Sequence, residues 1–174
     1  MQLCHYLSPE AIVSPVKGKA KVEVLRSLVS ALAELHHLKQ PKRILHAILE
    51  REKAGSTFLP IGVAIPHARL AGVDEIKVVL GILPEGVDEI IDGNHYAVSV
   101  ICLFVSPMAE EEFGRHLKLL AQISALFREE RLVQELVACK TPAAAFALLQ
   151  RRERDAVEKG EEETIDLNEP PTTI

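Results

Sequence analysis

Between residues 19 and 36, apolar side chains recur at Val22, Leu25, Leu28, Val29, Leu32 and Leu35, steps of three and four that gather on one stripe of an α-helix. A second helix is predicted from Pro41, whose missing N–H is harmless in a first turn, to the stop at Gly55, with Ile44, Leu45, Ile48 and Leu49 inward. The period then changes. Residues 63–65 form a short, mainly β-branched run closed by Pro66, which removes a ladder donor and is expected to turn the chain out of the strand, leaving His67 just past its end. The runs 77–83 and 96–105 are almost continuously apolar, the pattern of central strands covered on both faces, and Pro84, Gly86, Asp92 and Gly93 predict turns between them. Helical spacing returns with Leu117, Leu120, Ile123, Ser124 and Phe127 on one stripe and Leu132, Val133, Leu136 and Val137 on the next. Thr141 and Pro142 are a good N-cap and first-turn pair for a last helix carrying Phe146 and Leu149, with Arg151, Arg152 and Arg154 expected in its final turns. The order predicts an α/β fold with helices on both sides of one sheet.

Composition narrows the function classes. With 174 residues, 48% of them apolar and 26% charged, the chain is predicted to fold as one globular domain. Its longest apolar stretches fall short of the roughly 18 to 20 residues that cross a bilayer, so no membrane insertion is expected. The opening MQLCHYLSPE has neither a basic region nor an apolar stretch of signal-peptide type, which predicts a cytoplasmic protein. The net charge of -5 resides in residues 158–174, where six acids face one base; the remaining 19 acids and 19 bases balance. A neutral body gives no reason to bind nucleic acid. The division expected is therefore a domain over residues 1–157 and a flexible acidic tail over 158–174. Cys4, Cys102 and Cys139 lie at long spacings without a metal-ligand rhythm and read as buried or idle thiols.

Chemistry near neutral pH points to the seven histidines. His36, His37 and His46 sit in or at the ends of amphipathic helices, where solvated or core-edge roles are expected. His67 follows a strand end, where open α/β sheets carry reactive groups, and on position alone it reads either as such a group or as a surface-loop histidine. His116 opens a helix after an acidic loop, near free backbone N–H groups that favour an anion. The stretch GSTFLPIG lacks the lysine and spacing of a phosphate-binding P-loop, and neither G-x-S-x-G nor H-E-x-x-H occurs. No metal and no cofactor are expected.

The string REKAGSTFLPIGVAIPHARL, residues 51–70, resembles the signature around the phosphorylated histidine of fructose- and mannitol-type enzyme IIA domains of the bacterial phosphotransferase system. HLKLLAQISALF, residues 116–127, resembles the helix bearing that family's second active-site histidine, and the 49-residue separation of the two histidines fits. YLSPEAIV, LVSALAEL and the Asp92-Gly93 turn extend the resemblance to about residues 6–150. It implies a mixed central sheet with helices on both faces. It also implies that His67 accepts a phosphoryl group from the histidine-containing phosphocarrier protein or its nitrogen-branch counterpart, and passes it to a IIB domain or a regulatory target. By the same resemblance His116 is its active-site neighbour, Arg51 a phosphate-facing cation, and Ser56 and Thr57 a hydroxyl pair beside the phosphate. The expectation is a nitrogen-regulatory relay; the alternatives are a sugar-transporter IIA component and a non-catalytic partner-binding module of the same fold. One departure is Pro60-Ile61 before Gly62, where the family commonly has Gly-Asn, which predicts a stiffer and more hydrophobic loop.

Overall fold

A computed structural model describes residues 2–158, so the expected acidic tail lies, apart from Glu158, outside the described residues. The sheet is organised around an antiparallel hairpin of two long strands, β5 (Lys77–Ile91) and β6 (Asn94–Pro107). Asp92 and Gly93 close it, with φ of 51° and 79°, the left-handed pair that a two-residue hairpin turn requires. Pro84 and Gly86 do not make the second turn that the sequence predicts. Instead β5 bulges between Ile82 and Val87, where Pro84, unable to donate to the ladder, is accommodated, and pairing resumes at Val87 with Val98.

Short strands complete the sheet. β1 (Ile12–Val13) runs parallel to β5, β3 (Val63–Ala64) and β4 (His67–Leu70) run parallel to β6, and β2 (Phe58–Leu59) pairs antiparallel with β3. The order is β1-β5-β6-β3-β2, with β4 prolonging the β3 edge along β6, so the sheet is mixed. His67 therefore begins a strand, contrary to the expectation that the chain leaves the sheet at Pro66. Pro66 cannot donate, but its carbonyl still accepts from Phe104 N at 3.1 Å, which confines the interruption to Ile65 and Pro66.

Helices cover both faces. α1 (Lys21–Leu35) and α2 (Pro41–Lys53) bury Leu25, Leu28, Leu32, Ile44 and Ile48 against Val79, Ile101, Leu103 and Val105. On the opposite face α3 (Phe113–Leu126), α4 (Glu130–Ala138) and α5 (Pro142–Glu158) bury Leu119, Ile123, Leu136 and Leu149 against Val78, Leu80, Cys102 and Phe104. Three helical details differ from the pattern reading. Val22 is exposed in the first turn of α1. The buried line of α3 is His116, Leu119 and Ile123, ending at Phe127, while Leu117, Leu120 and Ser124 are half-buried, because apolar residues cover most of this helix and its period alone does not fix its rotation. The last helix is capped as predicted, Thr141 Oγ1 accepting from Ala144 N at 3.2 Å, but it continues to Glu158, so its arginines are not terminal. Arg152 instead pairs with Glu135 Oε2 of α4 at 2.6 Å.

The buried carboxylate of Glu153 accepts from Leu3 N at 2.5 Å and Cys4 N at 3.1 Å, fastening the N-terminal segment to α5. At Pro60-Ile61 the chain makes a turn closed by Gly62 N donating to Leu59 O at 3.1 Å, with proline at the second position, where its fixed φ suits the bend. Ile61 is partly buried against the core.

Gly81 lets α1 approach β5: a Cβ there would lie 2.8 Å from both Leu28 Cδ2 and Val16 Cγ2. Gly81→Ala is expected to destabilise the protein by about 1–3 kcal/mol through overpacking, read as a lower urea midpoint.

Candidate functional site

Alternation along β6 sends Ile101, Leu103 and Val105 toward α1 and α2, and Val100, Cys102 and Phe104 toward the other face, which Ser106 continues. β4 lies in register beside it, His67 opposite Phe104 and Arg69 opposite Ser106. The interruption at Pro66 gives His67 a fixed partner. Ile65 N donates to Thr57 O at 3.0 Å, and the Ile65 carbonyl, with no strand beside it, lies 2.7 Å from His67 Nδ1. A carbonyl only accepts, so Nδ1 carries the hydrogen and Nε2 holds the lone pair. The ring stacks on Phe104, centroids 5.4 Å apart and planes at 16°. Burial holds this imidazole below its ordinary pKa; the Ile65 hydrogen bond opposes, the Arg51 charge lowers it further, and Glu52 opposes again.

His116, in the first turn of α3, places its ring edge-on to His67, with centroids 5.2 Å apart, and 5.1 Å from Phe104. Its Nδ1 lies 2.7 Å from Ser106 Oγ. Burial first, then the charges of His67, Arg69 and Arg51, push its pKa down to about 4, so the ring is neutral at pH 7. Neither Nε2 has a partner among the described residues, and neither is sealed from solvent. The two free nitrogens form the open edge of an otherwise buried pair.

Arg51, near the end of α2, is exposed; its Nη1 donates to Gly55 O at 3.1 Å, and its charge acts on both rings. The structure engages Ser56 and Thr57 elsewhere. Ser56 Oγ donates to Glu89 Oε1 at 3.2 Å and Thr57 Oγ1 donates to Glu52 Oε1. Lys21 Nζ bridges the same two carboxylates, 2.9 Å from Glu52 Oε2 and 2.6 Å from Glu89 Oε2. This partly buried triad ties α1, α2 and β5 together and holds the loop that follows Arg51.

Four features escape a reading by motif. Phe104 is the apolar floor under both rings, and Ser106 is the polar residue that ends the buried line of β6. Arg69 donates to Pro107 O at 3.3 Å, Met108 O at 2.9 Å and Ala109 O at 2.7 Å, and lies 4.8 Å from the centre of the Phe113 ring, stitching β4 to the loop before α3. The Lys21, Glu52 and Glu89 triad joins residues far apart in sequence. A strand assignment at His67 would have exposed Arg69 by alternation; nothing local signals the triad. Cys102 is buried, Cys4 and Cys139 are partly so, and burial raises all three thiols, leaving them poor nucleophiles. Among the described residues no group of three His, Cys, Asp or Glu side chains is placed to hold a metal ion.

Residues 5–152 match the family described as phosphoenolpyruvate-dependent sugar phosphotransferase system, EIIA 2. A nitrogen regulatory protein of Bradyrhizobium diazoefficiens is 31% identical over 150 residues, covering 86% of this chain and 95% of that protein. The fructose-specific EIIABC component of Bacillus subtilis is 28% identical over 155 residues, covering 88% of this chain and 24% of that protein. Among solved structures, the nitrogen regulatory protein IIA-Ntr of Neisseria meningitidis superimposes with a TM-score of 0.74 at 26% identity, over 84% of this chain and 98% of that one.

Two outcomes test this electrostatic arrangement. Because the folded pKa of His116 is lowered, its contribution to stability is complete above the unfolded value near 6.5 and is lost as pH falls toward about 4; His67 and His36 act with the same sign. The ring resonances of His116 should titrate with a midpoint near 4, and His116→Phe should flatten the dependence of stability on pH between roughly 6.5 and 4. Lys21→Met, which leaves two buried carboxylates facing each other, should lower stability by about 3 kcal/mol, measured by urea denaturation at pH 7.

Proposed function

This chain belongs to the phosphoenolpyruvate-dependent sugar phosphotransferase system EIIA 2 family, and from that premise we propose that it is a cytoplasmic phosphoryl carrier of the nitrogen-regulatory type, with His67 as the residue that bears the phosphoryl group. The observation that carries this reading is the hydrogen bond from His67 Nδ1 to the Ile65 carbonyl, which leaves Nε2 as an unprotonated lone pair at neutral pH, without a partner among the described residues. A neutral imidazole nitrogen is a competent nucleophile toward phosphorus.

In the step proposed, the donor is a phosphohistidine on a histidine-containing phosphocarrier protein. The His67 Nε2 lone pair forms the new N–P bond while the donor's N–P bond breaks and its electron pair returns to the donor imidazole. No proton need move, because the hydrogen stays on His67 Nδ1, donated to the Ile65 carbonyl, whose dipole favours the positive charge that the phosphorylated ring acquires. Phe104 beneath the ring excludes water from one side. Arg51, exposed beside the rings, supplies a planar fork of donors for the phosphoryl oxygens, and His116 stands where it can meet the same group. Ser56 and Thr57 act on this site through the carboxylates they bind, by holding the loop after Arg51.

The regulatory assignment rests on the likeness to nitrogen regulatory proteins along most of their length. Phosphorylation adds close to two negative charges at one surface point, enough to make or break association with a regulatory target. The likeness to a fructose-specific component favours a second reading, in which the acceptor is a IIB domain of a sugar transporter.

Incubation with labelled phosphoenolpyruvate, enzyme I and the phosphocarrier should label the wild-type protein in an acid-labile, base-stable form. His67→Ala should take up no label, and Arg51→Gln should be labelled about a hundredfold more slowly. Full labelling of His67→Ala would remove the assignment, and rapid discharge to a IIB domain would favour the transport reading.

A further inference from the structure

Ser106 ends the line of β6 residues that cover the α3 face, and it has no exposed surface. The described residues offer its hydroxyl one partner, His116 Nδ1, at 2.7 Å. Two arrangements of hydrogen fit that distance. If Nδ1 carried the hydrogen and Oγ accepted it, the serine's own hydrogen would be buried without an acceptor. If Oγ donates to a bare Nδ1, both groups are satisfied, which is the state that buried polar groups adopt. The second arrangement puts the His116 hydrogen on Nε2.

We propose that Ser106 is a positioning residue that holds His116 in its Nε2–H tautomer, so that the open edge of the ring pair presents a lone pair from His67 beside an N–H from His116. The two rings are thereby made unlike by their backing groups: a carbonyl behind His67 and a hydroxyl behind His116. This matters for an incoming phosphoryl group, taking the phosphoryl-carrier reading of His67 as given. Phosphorus meets the lone pair, and one of its anionic oxygens meets a donor on the neighbouring ring; the other tautomer would turn a lone pair toward that oxygen and repel it. The arrangement needs a neutral His116, and burial with the nearby charges of His67, Arg69 and Arg51 keeps it so at pH 7. Arg69 lies opposite Ser106 in the β4–β6 register and ties down the loop that leads into α3, which fixes the distance between the serine and the ring.

Long-range proton–nitrogen NMR of the histidine rings in the full chain decides the point without any phosphorylation. The wild type should show His116 protonated at Nε2 and His67 protonated at Nδ1. In Ser106→Ala, His116 should populate both tautomers while His67 keeps its own, and labelling from the phosphocarrier should slow by about ten- to a hundredfold. Ser106→Thr, which retains the hydroxyl, should restore both the tautomer and most of the rate. A wild-type His116 protonated at Nδ1, or an unaltered tautomer in Ser106→Ala, would overturn the proposal. If Ser106→Ala does not fold, the wild-type spectrum and Ser106→Thr still decide it. A chain that takes up no phosphoryl group but shows the expected tautomers would sink the carrier reading and leave the role of Ser106 standing.

Discussion

The site depends on the Ile65 carbonyl having no strand partner. β3 stops at Ala64 and β4 begins at His67, and between them Pro66 keeps the sheet continuous through its own carbonyl while giving up a donor. Ile65 spends its N–H on Thr57, and its carbonyl then has no backbone N–H to take. A buried oxygen of this kind is costly when unpaired. The nearest remedy is the imidazole two residues on, and satisfying the carbonyl fixes one hydrogen on Nδ1. A requirement of backbone hydrogen bonding thus becomes a statement about side-chain chemistry.

Electrostatics preserve what the backbone sets up. Both rings pack against Phe104 and are largely buried, and protonation of either is opposed by desolvation and by arginine charge. They are kept neutral by their setting, without an ionised partner to each ring. The charges are instead concentrated between α1, α2 and β5, where Lys21 pairs with both Glu52 and Glu89. Such a triad adds little net stability when intact, but it constrains how the segment after Arg51 can lie, and so where a guanidinium can be offered.

Much of the architecture was legible in the chain. The two long apolar runs could only be covered strands, and the helices followed from their stripes and from Pro41 and Thr141. His67 and His116 were legible as a pair by resemblance, and the structure brings their rings together, though it places the first on a strand where the sequence suggested a loop. The difference has a physical origin: Pro66 lacks a donor, but its carbonyl accepts from Phe104 N and carries the pairing past it. The rotation of α3 was lost because apolar residues surround most of that helix. Arg69 escapes for a related reason, since alternation identifies it only once β4 is known, and Ser106 lies just past the apolar run that marks β6. The hydroxyls of Ser56 and Thr57 look like phosphate ligands in the motif, yet in the fold they serve two carboxylates supplied in part by a distant strand.

The clasp between Glu153 and the amides of Leu3 and Cys4 has a consequence for biogenesis. It joins residues 150 positions apart. On the ribosome, the first ordered turn waits until Glu153 has been made before its donors find their acceptor. Closing so long a loop is entropically slow, and a domain fastened this way completes its surface only after its last helix has emerged. Until that moment the apolar residues of the opening segment, Leu3 and Leu7 among them, lack their cover from α5. The nascent chain therefore keeps these residues uncovered until α5 has emerged, an interval in which a chaperone would have most to protect.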